Sequence, residues 1–314
     1  MNNTTASQML PLHTPVKVFL SVVPCLLFLY VNGVMLVALL RKPLLLESSR
    51  YVLFAHLLLT DSLQLVVAML LYIFAAAKVT MLHYMCMFLT LLAIVFVKMS
   101  PLNLTIMSLE RYVAICFPLR HSEVTTTRRT GVAIGVMWAV VSLDALVQLF
   151  VFISLKHTHF TVQVFCSTQS MFMLQSHMTL YSTLTLLYFV LVSMIIIYTY
   201  IAVLVTVKSA SSKVGCKGAK ALKTILLHLL QLCLCLLTTL FNMINSEGVW
   251  KSLHGIQAIH VQYILFLSLL IFPKCLSPLI YGLRDDAFRR VFKYYFTFGL
   301  KTAVCPLPKS QHLK

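Results

Sequence analysis

Apolar residues gather into seven long runs, roughly Val16–Leu40, Tyr51–Ala77, Met85–Phe117, Thr130–Leu155, Ser176–Val207, Ala221–Ser246 and Gln257–Leu283, each closed by charged or polar residues. Each run has the about 20 residues a helix needs to cross the hydrocarbon core of a bilayer. In lipid the backbone must satisfy its own hydrogen bonds within the segment, so the pattern predicts seven membrane-spanning helices, an all-α membrane protein. The connectors are too short for a separate soluble domain. Residues 1–314 therefore read as a single seven-transmembrane unit, with 1–15 an external N-terminus, 16–283 the helix bundle and 284–314 a cytoplasmic helix and tail.

Beyond the seventh run the period changes. Phe288, Val291, Phe292, Tyr295 and Phe296 recur at i, i+3, i+4, i+7 and i+8 with Arg289, Arg290 and Lys293 between them. This is the pattern of a short amphipathic helix lying on the inner leaflet, with its cations toward anionic headgroups.

Composition agrees with a membrane protein: 60% of residues are apolar, 11% are charged and the mean hydropathy is +0.92. Soluble chains carry about 25% charged residues, so a soluble enzyme is excluded, and high apolar content throughout excludes disorder. The net charge of +17 would suggest nucleic acid in a soluble chain, but here its distribution decides. One side of the membrane takes Arg41, Lys42, Arg50, Arg111, Arg120, Arg128, Arg129, Lys208, Lys213, Lys217, Lys220, Lys223 and every cation after Leu283. The other takes Lys17, Lys78, Lys156 and Lys251. Basic residues stay cytoplasmic, so the N-terminus is expected outside and the C-terminus inside the plasma membrane. Overlapping glycosylation sequons at Asn2 and Asn3 lie on that external side, whereas the sequon at Asn103 falls inside a span. No cleavable signal peptide is expected ahead of the first run, which serves as its own targeting signal.

Seven spans admit receptors, pumps and a few enzymes, and local motifs separate them. Met107-Ser108-Leu109-Glu110-Arg111-Tyr112-Val113-Ala114-Ile115-Cys116-Phe117-Pro118-Leu119-Arg120-His121 closes the third run and resembles the M-A-Y-D-R-Y-V-A-I-C-x-P-L-R-Y signature of odorant receptors. Lys220-Ala221-Leu222-Lys223-Thr224-Ile225-Leu226-Leu227-His228-Leu229 is similar to their K-A-x-x-T-C-x-x-H-L pattern, with Ile225 in place of Cys. Ser277-Pro278-Leu279-Ile280-Tyr281-Gly282-Leu283-Arg284-Asp285 resembles N-P-x-I-Y-x-L-R-N, and Asn32, Asp61, Cys86 and Trp138 fall in register. Glu110 for Asp, Ser277 for Asn and a single Cys in the second external connector mark a divergent member, similar to fish-type odorant receptors among the rhodopsin-like (class A) G-protein-coupled receptors.

The resemblance implies a non-enzymatic receptor without a cofactor, in which a small odorant shifts a helix-bundle equilibrium and a heterotrimeric G protein of stimulatory or olfactory type raises cyclic AMP. Glu110, Arg111 and Tyr112, with Tyr281 as a switch, form the expected coupling site. Arg111 released from Glu110 would meet the G protein, and the plainer reading is an interfacial arginine reaching for headgroups. Cys86 and Cys166, the two cysteines on the oxidising face, are expected to be bridged and to roof the pocket. Cys305 is either lipidated or an inert thiol.

Charges inside a bilayer are costly and point to function. Asp61 lies ten residues into the second run and Lys274 nine from the end of the seventh, so their depths match. In many relatives of this kind an acid at the place of Asp61 and a serine at that of Ser100 hold sodium, and the Lys274 ammonium could replace that ion. Lys98 and Asp144 are a second depth-matched pair. Either they form a buried salt bridge that fixes packing, or Lys98 floors the ligand cavity and attracts acids. Carried over from the family, the pocket would take Phe88, Leu91, Ile94, Val95 and Lys98 from the third run and Leu236, Thr239 and Met243 from the sixth. His177, Tyr181, His260 and Tyr263 would come from the fifth and seventh, and each could equally be a packing residue. His157 and His159 alone make a poor metal site, so no metal is expected. Two alternatives stay open: a rhodopsin-like receptor for an internal ligand, and a transporter or channel using the four intramembrane charges.

Overall fold

In the computed structural model the described residues are 4–77, 79–155, 163–165 and 175–211, with scattered positions in the sixth run and Lys274 in the seventh. Helices dominate them: α1 (Thr4–Leu40), α2 (Pro43–Leu46), α3 (Ser49–Ala76), α4 (His83–Cys116), α5 (His121–Val124), α6 (Thr127–Leu155) and α7 (Gln175–Ser211). Within α1, α3, α4, α6 and α7 lie the segments Val18–Leu40, Ser49–Ala75, His83–Cys116, Thr127–Ser154 and Thr179–Ser209, five spans long and apolar enough to cross a membrane.

Helix α1 begins at Thr4, well ahead of the run at Val16. Hydropathy marks where lipid begins and ends, whereas the helical hydrogen-bond ladder can continue past it. At 1.5 Å per residue, 37 residues extend over about 55 Å, longer than the hydrocarbon core. The apolar pattern gave no strands, yet β1 (Thr80–Leu82) pairs antiparallel with β2 (Gln163–Phe165), Thr80 opposite Phe165 and Leu82 opposite Gln163. This pairing sets Gln163–Phe165 beside the start of α4, one turn before Cys86.

The core joins α1, α3, α4 and α7. Met35, Leu39, Leu53, Phe54, Leu57, Leu104, Met107, Val192 and Ile196 pack as one buried cluster. A second cluster, Met99 with Met137 and Val141, seats α6 on α4. Polar ties fix the rotation of the helices: Trp138 Nε1 donates to His56 Nε2 at 3.0 Å, Asn103 Nδ2 to the Leu53 carbonyl at 3.2 Å, and Asn32 Nδ2 to Ser62 Oγ at 3.3 Å. Side-chain bonds between helices at these depths specify which face turns inward, because apolar residues cover the lipid-facing side as well. On α6 that side carries Val132, Val136, Val140, Leu143, Leu146 and Phe150, all exposed. Pro101 lies inside α4 and removes one rung of its ladder, three residues after Lys98, the intramembrane charge of this helix.

Candidate functional site

Three polar stations follow α4 across the bundle. At the C-terminal end of α4, Glu110 Oε2 lies 3.2 Å from Arg111 Nε, and the other oxygen of the same carboxylate is 3.4 Å from His121 Nε2 on α5. Glu110 is thus shared between the arginine beside it in sequence and a histidine eleven positions on. Arg111 Nη2 is buried with no hydrogen-bond partner among the described residues, which leaves the guanidinium only partly satisfied. Tyr112 packs edge-on to Phe117 and tilted against Tyr198, joining α4 to α7. Ser108 Oγ and Thr199 Oγ1 add a 2.5 Å hydrogen bond between the same two helices.

At mid-depth, Asp61 on α3, Ser100 on α4 and Lys274 of the seventh run converge. Lys274 Nζ donates to Asp61 Oδ1 at 2.6 Å and also to Ser100 Oγ, while the Ser100 hydroxyl donates to Asp61 Oδ1 at 2.6 Å. Gln64 Oε1 stands 3.4 Å from Ser100 Oγ. The side chains of Lys274 and Asp61 are 6% and 2% exposed, so the pair is sealed from solvent and its charges are compensated inside the bundle.

The third station is nearer the start of α4. Lys98 Nζ meets Asp144 Oδ2 of α6 at 2.7 Å, with side-chain exposures of 7% and 17%. The rings of Tyr181 and Tyr188, both on α7, each have their centroids 5.8 Å from the same ammonium. Tyr188 donates its hydroxyl to the Lys98 carbonyl at 2.7 Å. One turn outward, Ile94 packs on Phe152 with Met87 and Tyr181 alongside, and His83 stacks on Phe152 at 5.1 Å. Leu91 and Val95 are half-buried, and Val95 packs against the Met99, Met137 and Val141 cluster between α4 and α6.

Two positions expected in the pocket lie elsewhere. Phe88 is 60% exposed and faces away from the bundle. Its place follows from Cys86, which is fully buried: two residues of α-helix turn the side chain about 200°, to the opposite face. Leu236 packs against the α1–α3–α4–α7 core cluster instead of the outer wall. Cys86 is disulfide-bonded, and Cys166 lies outside the described residues. So do Tyr281, Thr239, Met243, His260, Tyr263, Asn2, Asn3 and Cys305, and of His177 only the helical backbone is described. Sequence patterns missed Tyr188, Gln64, Phe152, His83 and His121. Tyr188 carried a usable signal, since its seven-residue spacing from Tyr181 places both on one face.

The chain matches the model of the seven-transmembrane receptors of the rhodopsin family over residues 17–281. It belongs to that family. The receptor is 35% identical over 279 residues to Odorant receptor 131-2 of Danio rerio, covering 87% of this chain and 84% of the relative. It is 25% identical to the Olfactory receptor-like protein OLF4 of Canis lupus familiaris, over 62% of each chain. It is 27% identical to the Adenosine receptor A3 of the same species, over 80% of this chain and 81% of that one. The receptor is therefore a divergent fish-type odorant receptor of class A, a seven-transmembrane bundle and a multi-pass membrane protein, and it is not an enzyme. Its three stations are an aromatic and charged region toward the start of α4, a sealed mid-bundle network, and an arginine at the helix's C-terminal end.

Proposed function

We propose that this receptor binds a small external odorant between the outer halves of its helices and activates a stimulatory or olfactory-type G protein that raises cyclic AMP. The observation that carries this reading is the likeness to an odorant receptor across 87% of the chain. The site's geometry agrees with it. The region around Ile94, Lys98, Asp144, Phe152 and Tyr181 combines apolar walls with a few convergent polar groups, which suits a small molecule. At the other end, Glu110 holds Arg111 by one oxygen and His121 by the other, so the arginine has a partner it can leave. Ligand energy acts only through differential affinity for the closed and open bundles, and release of Arg111 is the local event that a G protein reads.

The receptor lies in the plasma membrane with its N-terminus outside, a placement supported by the basic residues crowding the opposite rim. That rim includes the turn Pro118–Arg120, where Leu119 is 93% exposed next to Arg120. An exposed leucine among cations is suited to a docking protein. At mid-depth, the ammonium of Lys274 occupies the place that a sodium ion would take beside Asp61 and Ser100, so receptor signalling is independent of sodium.

Cyclic AMP in cells supplied with olfactory G protein tests the reading. A ligand panel of acids, bases and neutral molecules is applied to the native chain and to Arg111→Ala at matched surface expression. A ligand-dependent rise in the native chain that falls at least tenfold in the variant supports the proposal, and a rise of equal size in both overturns the role of Arg111. Likeness to an adenosine receptor favours a second reading, an internal ligand. Adenosine belongs in the panel, and a response to it alone replaces the odorant reading.

A further inference from the structure

Tyr181 and Tyr188 stand seven residues apart on α7, which puts both side chains on one face with their Cα atoms about 10 Å apart along the axis. Lys98 Nζ is 5.8 Å from each ring centroid. The ammonium therefore has both aromatic faces within reach. Asp144 Oδ2 closes the site from α6 at 2.7 Å. The Tyr188 hydroxyl, bound to the Lys98 carbonyl, fixes one of the rings against α4. A carboxylate at hydrogen-bonding distance and two aromatic faces within about 6 Å form the chemistry that recognises an alkylammonium ion.

We infer that Lys98 is the tethered occupant of a primary-ammonium site built by Asp144, Tyr181 and Tyr188, and that its side chain shuts free amines out of the outer bundle. A second cation entering beside Lys98 would have to share one carboxylate in surroundings where an uncompensated charge is costly. Lys98 is thus a specificity-determining residue. Truncation to alanine removes Cγ, Cδ, Cε and Nζ, the skeleton of n-propylamine, and leaves a cavity of that shape lined by the carboxylate and the two rings. The truncated site takes n-propylammonium by non-covalent replacement of the lost side chain. This inference goes beyond the odorant reading and does not depend on it, since thermal stability reads occupancy whatever the receptor senses.

The test uses the full chain purified in lipid nanodiscs. Lys98→Ala melts below the native chain. At about fifty times a millimolar dissociation constant, n-propylammonium chloride raises its Tm by about 3 °C relative to the same concentration of sodium chloride. The neutral isostere n-propanol gives no comparable shift, the native chain does not respond, and Lys98→Ala combined with Asp144→Asn loses the response. Where Lys98→Ala does not fold, Lys98→Ser, which keeps an atom at the place of Cγ and leaves Asp144 to the added cation, is read in the same way with ethylammonium. Equal shifts from the alcohol, no shift from the ammonium in a folded variant, or an equal shift in the native chain overturns the inference.

Discussion

Lys274 and Lys98 each place an ammonium on a carboxylate inside the bundle, at 2.6 and 2.7 Å, and are equally hidden, yet their surroundings differ. Lys274 lies in a closed ring of hydrogen bonds with Asp61 and Ser100, with Gln64 behind it. Its acid is 2% exposed, and three segments depend on it. Lys98 has a single carboxylate contact, to an acid 17% exposed, and its remaining neighbours include two tyrosine faces. The first arrangement compensates charge completely and fixes packing. The second leaves an ammonium in an aromatic setting that another cation could occupy. Depth and distance do not separate a structural ion pair from a recognition site; the number of partners and their chemistry do.

That contrast can be broken most forcefully at Asp61. Asp61→Asn leaves the Lys274 ammonium buried against a neutral amide, with an expected loss of about 3–5 kcal/mol. Surface delivery and Tm should both fall, and Lys274→Met added to Asp61→Asn should recover most of the loss. A single variant as stable as the native chain would show that the mid-membrane network does not hold the bundle.

Asp144→Asn is expected to cost less, about 1–3 kcal/mol, because the Lys98 ammonium keeps two aromatic faces and the asparagine oxygen as partners. The two asparagine variants should therefore rank clearly by Tm under identical lipid conditions, and a reversed order would remove the distinction between the stations. Replacing sodium by N-methylglucamine at constant ionic strength should produce the smallest effect, no change in ligand potency or Tm, because the cation beside Asp61 is covalently part of the chain. A sodium-dependent potency shift that disappears in Asp61→Asn would instead place a free ion there.

Much of this architecture was legible along the chain, for a reason particular to membranes. Lipid forces each span to be long and apolar, so the runs underlying α1, α3, α4, α6 and α7 stand out without reference to their neighbours. Intramembrane charges were legible for the same reason, because their cost makes them rare enough to be compared by depth. The rotation of each helix was not. A helix between lipid and protein is apolar all round, so spacing could put Phe88 on the pocket face when the burial of Cys86 turns it outward. Leu236 went astray similarly, since an apolar residue of the sixth run suits either an outer wall or the core it packs against. The pairing of Thr80–Leu82 with Gln163–Phe165 left no trace either, because three-residue strands are too short for a period to register.

By itself the sequence determined the class of the protein: the apolar runs, the basic rim and the Glu110-Arg111-Tyr112 and Lys220–Leu229 motifs are local properties, set by the cost of placing polar groups in lipid and readable residue by residue. Only the tertiary structure decided the company each charge keeps. That Glu110 is shared with His121, that Ser100 bridges Asp61 and Lys274, and that Tyr181 and Tyr188 both lie against Lys98 all depend on the rotation and approach of separate helices. Side-chain hydrogen bonds and small differences in packing set those rotations, and such terms act between residues far apart in the chain.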